Sequence, residues 1–108
     1  MKIACVQMTS ACNPADNLPI IAARVQNAAA QGAHLVALPE TCSFMEKNRK
    51  AMQARLERQD DSAVLAALQA MAQDNDVFLL IGSMILADEN SDKAVNRSLL
   101  IAPDGAVQ

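Results

Sequence analysis

Three short apolar runs, separated by two stretches with helical periodicity, constrain the fold of this chain more than any other feature. The runs are residues 2–8, 34–38 and 77–81, and each has the length of a strand. The intervening stretches, residues 13–32 and 62–76, place their apolar side chains on one helical face. Strands that alternate with helices predict an α/β fold in which helices cover a sheet.

The first run is apolar at successive positions except at Gln7. A strand of this composition is typical of one that is covered on both faces, so we expect it to be central in its sheet. On the same grounds Cys5 is expected to be a core residue.

Local signals set the boundaries of the other elements. Asn13-Pro14 and Gly32 bound the first helix, and Pro39 ends the second strand. Ser62 begins the second helix, which ends at Asp74-Asn75-Asp76. Gly82 and Ser83 are expected to bend the chain into a further strand at 84–87, with another at 94–102. Pro103-Asp104-Gly105 predicts a turn, after which a hairpin partner should follow. Residues 45–58 predict a surface helix or an ordered loop.

Charge and aromatic content argue against nucleic-acid binding. The 108 residues carry a net charge of −3, and Phe44 and Phe78 are the only aromatic residues. A nucleic-acid-binding surface needs a basic stripe, usually interleaved with aromatic side chains. We therefore expect no nucleic-acid partner.

Neither export nor a membrane span is expected. The longest apolar stretch, residues 77–87, is interrupted by Gly82 and Ser83 and is shorter than the roughly 20 residues that cross a bilayer. The amino terminus has no long apolar segment of the signal-peptide kind. Three cysteines with no CxxC pair match neither a disulfide scaffold nor a zinc site, which favours the cytoplasm.

Glu40 is the candidate catalytic residue. It is the only acidic residue between Asp16 and Glu46, and it directly follows an apolar strand and Pro39. The carboxyl ends of strands are where α/β folds bind ligands. Spacing alone leaves two interpretations open: a solvated loop glutamate, or a general base.

The order of several motifs resembles the nitrilase superfamily of carbon–nitrogen hydrolases. The resemblance lies in Lys-Ile-Ala-Cys-Val-Gln-Met at residues 2–8, in Gly32-Ala33, in Leu-Val-Ala-Leu-Pro-Glu at 35–40, and in Asn-Arg-Ser-Leu-Leu-Ile-Ala-Pro-Asp-Gly at 96–105. It covers residues 1–108, which are expected to form the amino-terminal part of a single hydrolase domain. It implies part of an α-β-β-α sandwich, truncated after the first strands and helices.

The resemblance also implies an amidohydrolase with a Glu-Lys-Cys triad. Glu40 matches the glutamate, the general base, whereas the lysine and the cysteine correspond to positions beyond Gln108. The expected substrate is a small amide, no metal or organic cofactor is implied, and the complete protein is expected to be a homo-oligomer, such as a dimer. A base without its nucleophile cannot perform covalent hydrolysis, so this chain alone is expected to be inactive.

Other chemically capable residues favour structural interpretations. Cys42 lies two residues from Glu40 but has no close cation to lower its pKa, and Cys12 precedes a helix. A lone histidine, His34, is more often a hydrogen-bonded structural residue than a base. Lys50 and Lys93 do not match the position of the family's lysine.

A basic cluster, defined as Lys47, Arg49, Lys50, Arg55 and Arg58, follows the candidate base. We expect it to form a solvated charged face, and the alternative is recognition of a substrate carboxylate by arginine. Residues 39–45 resemble the branch that acts on omega-amides and deaminated glutathione, which agrees with that alternative.

Two further functions remain as alternatives. One is a non-catalytic fragment or interaction module that needs a second chain, favoured by an apolar sheet edge left open. The other is a nucleotide-binding domain, which the three glycines, Gly32, Gly82 and Gly105, argue against because they form no phosphate-binding loop.

Overall fold

The computed structural model of the protein describes residues 1–7, 14–39, 57–88 and 94–108, with side chains of the second range described from residue 17. Along the chain the elements are β1 (Ile3–Cys5), α1 (Pro14–Ala30), β2 (Leu35–Leu38), a 3-10 turn (Gln59–Asp61), α2 (Ala63–Asn75), β3 (Phe78–Ala87) and β4 (Ala94–Ile101). This order confirms the α/β class. The interpretation of residues 45–58 lies mostly outside the described residues.

The four strands form one mixed sheet in the order β1-β2-β3-β4. β1 and β2 are parallel, β2 and β3 are parallel, and β3 and β4 are antiparallel. Each parallel connection passes through or past a helix, as such crossovers require. The carboxyl ends of β1 and β2 therefore lie at the same edge of the sheet.

Short-range interactions fix the ends of the two helices. Ser62 accepts a hydrogen bond from the Leu65 amide at 3.0 Å and caps α2, as predicted. Asp76 takes a left-handed conformation, φ 53°, at the end of α2, and Gly32 does so after α1 with φ 89°. Among the described residues no helix is long and apolar enough to cross a bilayer.

β3 differs from the prediction. Gly82 and Ser83 were expected to separate two strands, but β3 continues through them as one strand of 10 residues. The pairing with β4 shifts in register between Ile81 and Met84, which marks a β-bulge. The glycine is therefore accommodated as an irregularity within the strand.

The core lies between the helices and one face of the sheet. From the helices it includes Ile21, Val25, Leu65, Leu68 and Ala72, and from the sheet Val36, Leu38, Leu79, Ile81, Leu99 and Ile101. Most of these side chains have no exposed surface. Ile20, on the other side of α1, is 42% exposed.

The second face of the sheet is apolar and uncovered within the described part of the chain. On the side of the β-bulge that is nearer to β1, the strand register places seven apolar side chains on it, which we call the open face: Ile3, Cys5, Leu35, Ala37, Phe78, Leu80 and Leu100. None of the seven is buried, and Ile3 is 58% exposed. One sheet with one helical layer thus accounts for two layers of a four-layer sandwich.

Two predictions about β1 are wrong for the described residues. β1 was expected to be central, but it forms an edge of the sheet. Cys5 was expected in the core, but it is exposed on the open face. Both predictions followed from the apolar composition of β1. Composition shows that a strand is suited to apolar partners on both faces, but it does not show whether the described residues provide those partners.

The outer edge of β4 is partly paired by the chain's own continuation. Gly105, at φ 87°, completes the predicted turn, and Ile101 then forms an antiparallel bridge with Val107. The Gln108 amide donates to the Leu100 carbonyl at 2.8 Å. The predicted hairpin partner therefore begins as expected.

Candidate active-site region

The candidate region lies at the carboxyl ends of β1 and β2. In open α/β sheets this edge is where ligands bind, because the loops that follow the strands converge there. Pro39, the residue after β2, is the last described residue before Glu40. Glu40 and Cys42 lie outside the described residues, so the structure defines the place from which the segment carrying them departs.

Gly82 determines how closely β3 approaches that point. A Cβ atom at this position would overlap the Leu38 carbonyl oxygen and lie 2.9 Å from the carbonyl carbon of Pro39. Only glycine leaves room for this backbone contact. The main chain that leads to Glu40 is therefore packed directly on β3.

Ser98, on β4, contacts Gly82 from the side opposite to β2. Its hydroxyl donates a hydrogen bond of 3.0 Å to the Gly82 carbonyl oxygen. Ser98 belongs to residues 96–105, one of the segments that carry the family resemblance. The structure places this strand next to Gly82, and so close to the end of β2.

The next described segment begins at Glu57, whose backbone is hydrogen-bonded to the carboxyl-terminal end of β3. The Ala87 amide donates to the Glu57 carbonyl oxygen at 2.8 Å. The Glu57 carboxylate accepts from the Ala63 amide at 3.2 Å, at the start of α2. The contacts at Gly82 and Ala87 are five residues apart on one strand, a span of about 17 Å.

Arg97 adds a second contact at that end. Its guanidinium donates to the Gln59 side-chain oxygen at 2.6 Å, which ties the 3-10 turn to β4. Of the basic cluster, only Arg58 belongs to the described residues, and it is exposed. The other four members, and Lys93, lie outside them.

His34 has the structural role expected of it. Its Nδ1 atom accepts a hydrogen bond of 3.1 Å from the Lys2 amide. The Lys2 ammonium donates to the Gln31 carbonyl oxygen at 2.6 Å, at the end of α1. Together these contacts hold the start of β1 to the turn between α1 and β2.

The described residues contain no group of three or more histidine, cysteine, aspartate or glutamate side chains that could hold a metal ion. Cys12 is outside the described residues, and Cys5 lies on the open face. The described residues of this region hold in place the backbone that leads to the segment beginning at Glu40.

Comparison with protein families identifies the domain. The family model described as carbon-nitrogen hydrolase matches residues 2–108. The chain therefore belongs to the carbon–nitrogen hydrolase family. A search of curated proteins finds no match.

Solved structures with the same fold include amidases of the nitrilase superfamily. An amidase from Nesterenkonia sp. matches with a TM-score of 0.80 at 24% identity, over 100% of this chain and 40% of that one. A mutant of this amidase in complex with butyramide gives 0.83 at 26% identity, covering 100% and 41%. The C. elegans NitFhit protein gives 0.86 at 23% identity, covering 97% and 26%.

These matches establish the fold class as part of an α-β-β-α sandwich. The chain spans about two fifths of the length of the amidases that it matches. The open face is the side on which the second sheet of such a sandwich packs.

Sequence reasoning missed the part played by Gly82. It interpreted this residue as a bend, whereas the glycine permits a close backbone approach. An isolated glycine inside an apolar strand run is a recognised signal for such an approach, so the information was present in the sequence.

Proposed function

We propose that this chain is the amino-terminal part of an amidohydrolase that cleaves a non-peptide C–N bond of a small amide, with Glu40 as general base. The observation that carries the proposal is the family match over residues 2–108. The frame around Pro39 and Gly82 supports it, because the backbone next to Glu40 is held at the ligand-binding edge of the sheet.

In this proposal a cysteine and a lysine come from the part of the domain that the chain does not span. Glu40 takes the cysteine proton, and the thiolate attacks the amide carbonyl while the lysine stabilises the resulting oxyanion. The C–N bond breaks as the protonated Glu40 gives its proton to the departing nitrogen, so that ammonia leaves, a thioester remains and Glu40 is again ionised. Glu40 then removes a proton from water, which attacks the thioester and releases the acid and the thiol.

The test is a matched pair of variants in a polypeptide or complex that contains the whole domain. Glu40→Gln removes the base and is expected to lower kcat for amide hydrolysis by about 10²- to 10⁴-fold. Glu46→Gln, the next carboxylate along the chain, is expected to leave kcat within about twofold of the wild type. Equal kcat values for the two variants would contradict the role proposed for Glu40.

The substrate is proposed to carry a carboxylate, as in the omega-amide and deaminated glutathione branch. The basic cluster supports this, because the planar guanidinium of arginine suits a carboxylate. An amide with a distal carboxylate should then have a lower KM than its neutral analogue, and the difference should shrink in 0.5 M salt. We also propose that the complete protein acts in the cytoplasm as a dimer.

A second candidate function is that of an interaction module without activity of its own. The open face favours it, since seven apolar side chains on one sheet face are suited to contact another polypeptide. The two proposals differ in the activity that they predict. An interaction module would bind its partner chain, but the resulting complex would release no ammonia from any amide.

A further inference from the structure

The turn that follows β4 is hydrogen-bonded to α2. The Gln69 side-chain amide donates to the Gly105 carbonyl oxygen at 2.9 Å, a contact between residues 36 positions apart along the chain. A Cβ atom at Gly105 would lie 3.4 Å from the Gln69 carbonyl oxygen, and the φ angle of Gly105 is 87°. Glycine therefore permits both the left-handed conformation and the close approach of the turn to the helix.

The turn also has backbone hydrogen bonds of its own. The Gly105 amide donates to the Ala102 carbonyl oxygen at 2.8 Å, and the Ala102 amide donates to the Ala106 carbonyl oxygen at 2.9 Å. The Asp104 carboxylate accepts from the Ala106 amide at 2.9 Å. Because these bonds define the shape of the turn, the contact with Gln69 fixes the place of the whole turn relative to α2.

The turn directs the chain back toward the candidate active-site region. Val107 forms an antiparallel bridge with Ile101, and Ile101 is paired with Leu79 of β3. Since β4 is antiparallel to β3, the strand that starts at Val107, which we call the returning strand, runs parallel to β1, β2 and β3. Its carboxyl end is therefore directed to the same edge of the sheet as the carboxyl ends of β1 and β2.

The strand register shows how soon the returning strand reaches that edge. Leu38, the last residue of β2, pairs with Ile81, and Ile81 pairs with Leu99. Leu99 precedes Ile101 by two residues, and Ile101 is bridged to Val107. The residue two positions after Val107 is therefore level with Leu38. That distance is only about 7 Å, so a shift of the turn is passed on to the chain that enters the candidate region.

We propose that Gln69 is a positioning residue for amide hydrolysis: by holding the turn at Gly105, it determines where the chain after the returning strand enters the candidate active-site region. The inference rests on the proposed function, in which the groups that act with Glu40 come from the part of the domain that this chain does not span. Gln69 lies at the opposite edge of the sheet, where β4 ends beside the start of β3, so it acts only through the turn.

The test compares two glutamate variants, one helical turn apart, in a polypeptide or complex that contains the whole domain. Gln69→Glu keeps the shape of the side chain, but its ionised carboxylate has no proton to donate to the Gly105 carbonyl oxygen. Gln73→Glu adds the same charge to a side chain whose oxygen lies 3.6 Å from the Cβ position at Gly105. We expect Gln69→Glu to lower kcat about tenfold with KM within about twofold of the wild type, and Gln73→Glu to change neither.

Two further variants test whether the donor at position 69 is what matters. Gln69→Met removes the donor without adding a charge, and kcat should fall as it does in Gln69→Glu. Gln69→Lys restores a donor that can reach the same carbonyl oxygen, so kcat should recover to within about threefold of the wild type. A recovery in the lysine variant alone would follow the hydrogen bond and not the charge.

A control within α2 separates positioning from a general loss of stability. Asn75→Ala removes a bond of the same kind, in which the Asn75 side-chain amide donates to the Met71 carbonyl oxygen at 2.8 Å, and should leave kcat unchanged. Amide hydrogen exchange in the same samples gives an independent readout. Exchange at Gly105 and Gln108 should accelerate in Gln69→Glu and stay as in the wild type in Asn75→Ala.

The outcomes distinguish this inference from the proposed function. A complete domain that releases no ammonia from any small amide overturns both. An active wild type with equal kcat values for Gln69→Glu and Gln73→Glu overturns the role of Gln69 alone. An Asn75→Ala variant that loses as much kcat as Gln69→Glu does the same, because a general loss of helix stability would then explain the effect.

Discussion

The contact between Gly82 and the Leu38–Pro39 backbone is the residue-scale feature on which the candidate site depends. It places the chain next to Glu40 against β3, and Ser98 secures the Gly82 carbonyl from β4. No side chain larger than hydrogen fits between these backbones. The path of the backbone as far as Pro39 thus depends on a residue that performs no chemistry.

Gly82→Ala should destabilise the chain by about 1–3 kcal/mol, because the added methyl group forces the two backbones apart. Ser98→Ala is the control: it removes one exposed hydrogen bond at the same point and adds no atoms, so about 1 kcal/mol or less is expected. Urea unfolding of both variants provides the comparison. A Gly82→Ala loss no greater than that of Ser98→Ala would show that the backbones can separate without cost.

At the scale of elements, the helices could be predicted from sequence because their ends are determined locally. Ser62 caps α2 through a contact three residues away, and Gly32 and Asp76 end the helices through their own backbone conformations. The place of β1 could not be predicted in this way. Its neighbours are determined by pairing across the sheet, and its composition is equally suited to a strand partner that the described residues do not provide.

The capping contact gives a prediction for α2. Ser62→Ala removes the acceptor for the Leu65 amide and should reduce the free energy of unfolding by about 1 kcal/mol. Ser62→Thr keeps the hydroxyl and should lose less. Thermal unfolding followed by circular dichroism measures both, and an alanine variant as stable as the wild type would mean that water or Glu57 replaces the cap.

For the molecule as a whole, the two faces of the sheet differ in what covers them. Sequence patterning predicted the sheet, the covering helices and the family, and it selected Glu40 as the sole carboxylate in its region. Sequence patterning could not predict the open face, because the sequence does not show whether an apolar side chain is covered by a helix or left uncovered by the described residues. Two adjacent residues of β3 allow the difference in burial between the two faces to be measured.

Leu79 is fully buried beneath the helices, and Leu80 is 36% exposed on the open face. Leu79→Ala should cost about 2–5 kcal/mol in the 108-residue chain, whereas Leu80→Ala should cost less than about 1 kcal/mol. In the complete domain the Leu80→Ala cost should rise, because a second sheet then covers this side chain. Equal costs for Leu80→Ala in the two settings would argue against a sandwich.

The most direct test of the account is the mass of the protein purified untagged from its own cells, measured under denaturing and then native conditions, with ammonia release from a small amide followed in the same sample. The account predicts a longer polypeptide, or a second chain held in the native complex, totalling about 29 kDa per domain, since 11.5 kDa is 40% of that value. Hydrolysis should accompany that species alone. A lone 11.5 kDa monomer that releases ammonia in a Glu40-dependent manner would contradict it.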